Sequence, residues 1–171
     1  MKKIQIIGFS GSGKSTLAGT LAERLNLPVL YLDTVFWMPG WQQRPREEQR
    51  EILGEFLDAH PDGWVIDGNY TKNHYSRRME EADQIIFMNF NRWRCLWRVL
   101  KRWITYQGKS RASMTVGCEE KIDLPFIKWV LWESRRPEPL SRYRYIGEKY
   151  ADKFVELKNP RQVEEYLKTI L

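Results

Sequence analysis

Residues 8 to 15 read Gly-Phe-Ser-Gly-Ser-Gly-Lys-Ser, and their setting leaves few folds open to the chain. The stretch fits G-x-x-x-x-G-K-[ST], a phosphate-binding loop. Before it, Ile4-Gln5-Ile6-Ile7 is a short β-branched run that predicts a buried strand. After it, Leu17, Ala18, Leu21, Ala22 and Leu25 recur at helical spacing. Glycine at positions 8, 11 and 13 permits backbone angles that a Cβ forbids. Successive N–H groups can then face phosphate oxygens at a helix N-terminus, whose dipole favours anions. Gly8, Gly11, Ser12, Gly13, Lys14, Ser15 and Thr16 are the candidate residues for holding a nucleotide. Lys14 can reach the β- and γ-phosphates, which makes it a candidate catalytic residue as well, and Ser15 can offer its hydroxyl to Mg²⁺.

The rest of the chain alternates strands and helices. The pattern predicts a helix over 14–25, a second strand over Val29–Asp33 and an aromatic, turn-rich stretch over 34–44. A helix over Pro45–Ala59 and a third strand over Trp64–Asp67 follow. A short helix is expected over about 72–82, a fourth strand over Gln84–Phe90 and a long helix over 92–107. After a polar loop over 108–123, a helix is expected over 124–136, then an ambiguous, partly helical stretch over 138–151. A fifth strand over Lys153–Leu157 and a closing helix over Pro160–Leu171 complete the chain. Alternation of this kind predicts βαβ units, a parallel sheet and a single α/β domain. Ligands of such sheets sit outside the carboxyl ends of the strands. The phosphate loop, Asp33, Asp67 and the residues after Phe90 are therefore expected along one edge.

The formal net charge of +6 is concentrated. Residues 92 to 111 hold Arg92, Arg94, Arg98, Lys101, Arg102, Lys109 and Arg111 and no acid, so the remainder sums to −1. A localised positive segment implies an anionic partner, either nucleotide phosphates, a phosphorylated product or nucleic acid. On a helical wheel Arg94, Arg98, Lys101 and Arg102 share about 100° of surface. No acid within that helix pairs with them. No stretch approaches the ~20 apolar residues of a membrane span. Met1-Lys2-Lys3 runs straight into the first strand, so cleavage of a signal peptide would remove the loop. The expected compartment is the cytoplasm. Cys95, Cys118, His60 and His74 lack metal-ligand spacing.

Beyond the loop, each candidate has two readings. Asp67 can hold a water on Mg²⁺ at the end of its strand, or serve as a turn acid before Gly68-Asn69. Asp33 can bind an acceptor hydroxyl or take its proton, or cap the following turn. Asn69 and Tyr70 can line the same pocket. Arg111 can be delivered by a closing lid and, with Arg102, neutralise a transferring phosphoryl group. Arg135 and Arg136, at the C-terminus of the helix expected over 124–136, can join these cations or simply place favourable charge at the helix dipole's negative end. Phe36, Trp37 and Trp41 suit an acceptor pocket and core packing equally.

Taken in series, these stretches resemble the adenylate-kinase-like branch of P-loop kinases, and more closely the DNA topology modulation (FlaR-like) proteins. The matching pieces are Gly8 to Ser15, Tyr31-Leu32-Asp33 with Trp37 and Pro39-Gly40-Trp41, and Asp67-Gly68-Asn69-Tyr70. They continue with Ala82-Asp83-Gln84-Ile85-Ile86, Arg98-Val99-Leu100-Lys101-Arg102 and Gly117-Cys118-Glu119-Glu120. The resemblance implies a three-layer P-loop kinase fold with a five-stranded parallel sheet and a helical lid. It also implies an acceptor-binding insert at about 34–62 and a lid at about 103–137. It places Arg98 and Arg102 where such kinases touch adenine and phosphates, and Arg111 in the lid. Where an acid and a proline are expected after the fourth strand, this chain has Asn89-Phe90-Asn91-Arg92.

The expectation is an ATP- and Mg²⁺-dependent kinase acting on a small acceptor, such as a nucleoside, a nucleotide or another hydroxyl metabolite. Lys14, Asp33, Arg102 and Arg111 are its catalytic candidates, and Ser15 and Asp67 its metal residues. The alternative is a nucleic-acid-associated, ATP-binding regulator, with Trp and Tyr near the basic segment to stack on bases. The sequence leaves the oligomeric state open.

Overall fold

The first strand, β1 (Lys3–Gly8), lies at the centre of a five-stranded parallel sheet. This computed structural model describes residues 2–106 and 111–170. Gln107, Gly108, Lys109 and Ser110, and with them that part of the expected lid loop, lie outside the described residues, as do Met1 and Leu171. The other strands are β2 (Val29–Tyr31), β5 (Trp64–Asp67), β6 (Gln84–Met88) and β7 (Phe154–Leu157). A two-stranded hairpin, β3 (Trp37–Met38) with β4 (Gln42–Gln43), stands apart from the sheet. The sheet order is β2-β5-β1-β6-β7. Parallel neighbours need crossovers, and helices supply them. These helices are α1 (Lys14–Leu25), α2 (Leu32–Phe36), α3 (Arg46–Ala59), α4 (Tyr75–Glu81), α5 (Arg92–Thr105), α6 (Leu124–Leu131), α7 (Pro137–Lys149) and α8 (Pro160–Thr169).

Covered on both faces, the central strands are apolar at almost every position. Ile4, Ile6, Trp64, Val65, Ile66, Ile85 and Ile86 are fully buried. The register sets Ile4 opposite Val65 and Ile6 opposite Ile86. Helix α1 buries Leu17, Ala18, Leu21 and Ala22, the stripe the sequence predicts. It stops at Asn26 in the left-handed conformation (φ 51°), while Leu27 N–H bonds back to the Ala22 carbonyl.

The expected elements are present, with shifted ends. The second strand stops at Tyr31, so Asp33 lies in the first turn of α2 and not at a strand end. Its partner strand explains this. Tyr31 pairs with Asp67, after which the chain turns away at Gly68 (φ 141°), leaving Leu32 no strand to pair with. The helix expected over 124–136 ends at Leu131 and continues as a 3₁₀ turn over Glu133–Arg135, and the ambiguous stretch is α7. Asn91 caps α5 through its side-chain oxygen and the Trp93 N–H. No helix among the described residues is long and apolar enough to cross a membrane.

Opposite its cations helix α5 carries an apolar arc that includes Val99, Leu96, Trp93, Trp97 and Ile104, and only the edge with Val99 and Leu96 packs against the core. Cys95 and Val99 are buried, while Trp93, Trp97 and Ile104 are 62%, 67% and 67% exposed. Arg94 is also exposed and lies outside the cleft described below, so the four cations of the wheel do not act as one face.

Candidate active site

At the carboxyl ends of the strands lies a cleft of about 1530 Å³. Its first wall is the phosphate loop. Gly8, Gly11 and Gly13 adopt φ of 142°, 78° and 98°. Space reinforces the requirement for glycine. A Cβ at Gly8 would come within 2.5 Å of the Met88 carbonyl oxygen, and one at Gly11 within 2.5 Å of the Cys95 carbonyl oxygen. The loop is therefore seated directly on β6 and on the backbone of α5. Lys14 Nζ donates to the Phe9 carbonyl at 3.0 Å, across the loop's own mouth. Ser12 is buried, and its hydroxyl has no hydrogen-bond partner among the described residues.

Two further groups hold this loop: Asn69, which also lines the cleft as expected, and Arg135. Asn69 clamps Gly8 at both ends of the residue. Its Oδ1 accepts from Gly8 N–H at 2.8 Å, and its Nδ2 donates to the Gly8 carbonyl at 2.7 Å. Arg135 lies with its guanidinium carbon 3.7 Å from the centre of the Phe9 ring and donates to the Phe90 carbonyl at 2.6 Å. The helix-end reading of Arg135 is thus replaced by a contact with the loop. No pattern in the sequence pairs Arg135 with Phe9, because a stack across this sequence distance has no periodic signature.

Ser15 Oγ donates to Asp67 Oδ2 at 2.6 Å. Asp67 is 5% exposed, and its other oxygen, Oδ1, has no partner among the described residues. Burial pushes its pKa up to about 6, against the pull of Lys14 and of the Ser15 hydrogen bond. An unpartnered buried carboxylate oxygen beside a serine hydroxyl fits Mg²⁺. That ion is usually bound by one or two protein groups together with substrate phosphates and water.

Facing the loop are Asp33, the aromatic residues and the cations of α5 and beyond. Tyr70 donates its hydroxyl to Asp33 Oδ1 at 2.6 Å and stacks on Phe36 at 4.6 Å. Burial first, and then the Asp33 charge, drive the Tyr70 pKa upward, so the phenol stays a donor. Trp37 meets both Phe36 and Trp41 edge-on, and all three rings line the cleft. The choice between pocket and packing thus resolves into both. Asp33 caps no helix, because α2 begins from Tyr31 without a side-chain cap.

Gly11, Gly13, Lys14, Ser15, Thr16, Asp33, Asp67, Arg98, Arg102 and Arg111 all line this cleft. Arg98 reaches the loop itself, since a Cβ on Gly13 would come within 2.6 Å of its Nη2. Arg102 Nε bonds Glu120 Oε2 at 3.1 Å, and Arg111 pairs with the same carboxylate. Burial, and next the neighbouring Arg111, hold Arg102 below the usual arginine range, with Glu120 opposing both. The acid missing from α5 itself therefore comes from a loop, and sequence reading missed it. The segment around Glu120 is docked on the β3–β4 hairpin. Thr115 Oγ1 donates to the Trp37 carbonyl at 2.6 Å, Gly40 N–H to the Gly117 carbonyl at 3.1 Å, and Trp41 Nε1 to the Glu119 carbonyl at 3.1 Å.

A buried polar network supports the floor. Arg78, fully buried, donates to Gln5 Oε1 at 2.7 Å and to the carbonyls of Tyr70 and Asn73. Burial lowers its pKa to about 10. Asn73 in turn donates to Gln49 Oε1 at 2.6 Å. The loop carrying Asn69 and Tyr70 is thereby tied to both β1 and α3.

No protein-family model matches the chain. No curated protein matches it in sequence. Among solved structures, a gluconokinase from Sinorhizobium meliloti 1021 is similar in fold, at 19% identity and a TM-score of 0.50, over 96% of this chain and 86% of that one. Together with the sheet order and the loop geometry, this likeness establishes a three-layer α/β fold of the P-loop kinase type.

Proposed function

We propose that the protein is an ATP- and Mg²⁺-dependent phosphotransferase of the cytoplasm, acting on a small acceptor. The observation that carries the reading is the convergence of Lys14, Asp33, Asp67, Arg102 and Arg111 on one cleft beside a glycine-formed phosphate loop. In this reading the loop amides and Lys14 hold the donor's phosphates, with Thr16 and Arg98 alongside. Ser15 and Asp67 hold Mg²⁺. When bound, the ion supplies charge neutralisation at the phosphates. Asp33, held by Tyr70, orients the acceptor hydroxyl and accepts its proton. The acceptor oxygen forms a bond to phosphorus as the bond to the donor's bridging oxygen breaks. Arg102 and Arg111 neutralise charge on the group in transit. The stretch 34–62 serves as the acceptor-binding insert and 103–137 as the lid.

The acceptor is a hydroxyl compound small enough to lie between Asp33 and the Phe36–Trp37–Trp41 wall. Nucleosides, nucleotides and sugars belong in the test panel, and the gluconokinase named above adds gluconate. The test is phosphoryl transfer from ATP over that panel, with Lys14→Ala as control. Absence of ATP binding in the presence of Mg²⁺, or a Lys14→Ala protein that reacts normally, defeats the reading.

A second reading, a nucleic-acid-associated regulator of the DNA topology modulation type, draws on the exposed Trp93, Arg94 and Trp97 of α5. Against it, Arg98, Lys101, Arg102 and Arg111 already line the cleft. DNA binding whose affinity falls steeply with salt would favour it, and no binding at low salt removes it.

A further inference from the structure

Glu120 stands out because one carboxylate serves two cleft arginines. Its side chain is only 7% exposed, and those of Arg102 and Arg111 are 25% and 15% exposed. Two guanidinium groups paired with one carboxylate repel each other; burial first, and then Arg111, lower the pKa of Arg102. An acid between them removes that repulsion in surroundings where water screens little. The edge used is informative. Arg102 hydrogen-bonds Glu120 through Nε, and the ion pair of Arg111 with Glu120 is also at Nε, without hydrogen-bond geometry. Among the described residues, the one other bond these guanidinium groups make is Arg111 Nη1 to Ser113 Oγ at 3.3 Å, a neutral hydroxyl, which leaves the terminal Nη groups for another anion. An end-on pair through the Nη groups would instead have competed with a phosphate for the same fork.

Arg102 also feels an acid across the cleft. Asp33, the smallest of the influences on it, opposes the lowering of its pKa. Glu120 itself cannot drift, because the Trp41–Glu119 and Thr115–Trp37 bonds pin its segment to the hairpin.

We propose that Glu120 is a positioning residue, gathering Arg102 and Arg111 side by side with their Nη groups facing the phosphoryl group in transit. The proposal rests on the phosphotransferase reading above. Glu120 acts through the arginines and touches no reacting atom. Its effect therefore belongs to the transition state and not to nucleotide binding as such.

The experiment compares wild type, Glu120→Gln and Glu120→Asp with two probes, each in the presence of Mg²⁺. One is ADP with aluminium fluoride, which mimics the transferring phosphoryl group. The other is a non-hydrolysable ATP analogue. Glu120→Gln is expected to weaken the fluoride complex by about 10- to 100-fold while changing analogue affinity by less than about 3-fold. Glu120→Asp, which keeps the charge, is expected to recover part of the loss. In an Arg102→Ala background, Glu120→Gln is expected to add less than about 3-fold, because the two act as a unit. Equal weakening of both probes, or of neither, overturns the proposal, the former because it indicates a merely structural role. If Glu120→Gln does not fold, the split between the two probes in Glu120→Asp decides alone. A wild-type protein that forms no fluoride complex defeats the phosphotransferase reading as well. A wild-type complex that the substitution leaves untouched defeats only the role of Glu120.

Discussion

The two walls of the cleft are held by different means. Along the phosphate loop, Gly8, Gly11 and Gly13 take positive φ, and the backbone lies against Met88 and Cys95 with no room for a Cβ at Gly8 or Gly11. Across from it, Arg102, Arg111 and Glu120 are placed by side-chain pairs and by bonds from residues 115–119 to the hairpin at 37–43. The first wall is rigid because its shape is a backbone conformation. The second is held by side-chain ion pairs and a few hydrogen bonds, each removable by a single substitution. Substitutions on the two sides are therefore expected to fail in different ways.

The largest effect is expected at the loop. In Gly11→Ala, the added carbon meets the Cys95 carbonyl at a residue with φ 78°. Backbone of both the loop and α5 must move, at a cost of several kcal/mol. Calorimetry with ATP and Mg²⁺ should find nucleotide binding lost. Retained binding would show that the loop wall is softer than described. Next is Arg102→Ala, which removes a cation from the facing wall and leaves Glu120 paired with Arg111. Turnover is expected to fall by about 10²-fold or more with little change in nucleotide affinity. A loss of affinity equal to the loss of turnover would erase the distinction between the walls.

Asp67 separates burial from function through pH. Its carboxyl pKa in the folded protein, about 6, lies above the ordinary value of 3.8. The folded state thus binds the proton more tightly than the unfolded one. Stability without ligand is expected to fall as pH rises from about 4 to 6, by an amount on the order of 3 kcal/mol, and to stay lower above that range. Asp67→Asn should flatten this profile in melting curves recorded between pH 4 and 8. A variant that keeps the wild-type slope would assign the slope to another group. The smallest effect is expected for Trp41→Phe, which deletes the Nε1 bond to the Glu119 carbonyl. A stability loss of about 1 kcal/mol or less is expected. ATP affinity should be unchanged, since the tether belongs to the facing wall alone. Weakened ATP binding would mean that the hairpin also supports the loop.

The exposed face of α5 shows how a sound local pattern can mislead. Trp93, Trp97 and Ile104 share one side of the helix, as periodicity requires, yet the buried side is that of Cys95 and Val99. Periodicity reports which residues share a face. It does not report which face the loop and sheet will cover, and here the covered side is that of Cys95 and Val99, against which Gly11 lies.

What the chain determined by itself lies within single supersecondary units. The strand-loop-helix of residues 3–25, the five parallel strands and the strand-end acid Asp67 follow from periodicity, glycine placement and strand-end position, all signals spanning a few residues; Asp33 follows the second strand but sits in a helix turn. What only the tertiary structure decided depends on partners far apart in the chain. Such pairings include Asn69 with Gly8, Arg135 with Phe9, Arg78 with Gln5, and Glu120 with both Arg102 and Arg111. A polar side chain that finds its partner across the fold leaves no period in the sequence. Its identity sets what it can bond, and the packed core sets what comes within reach.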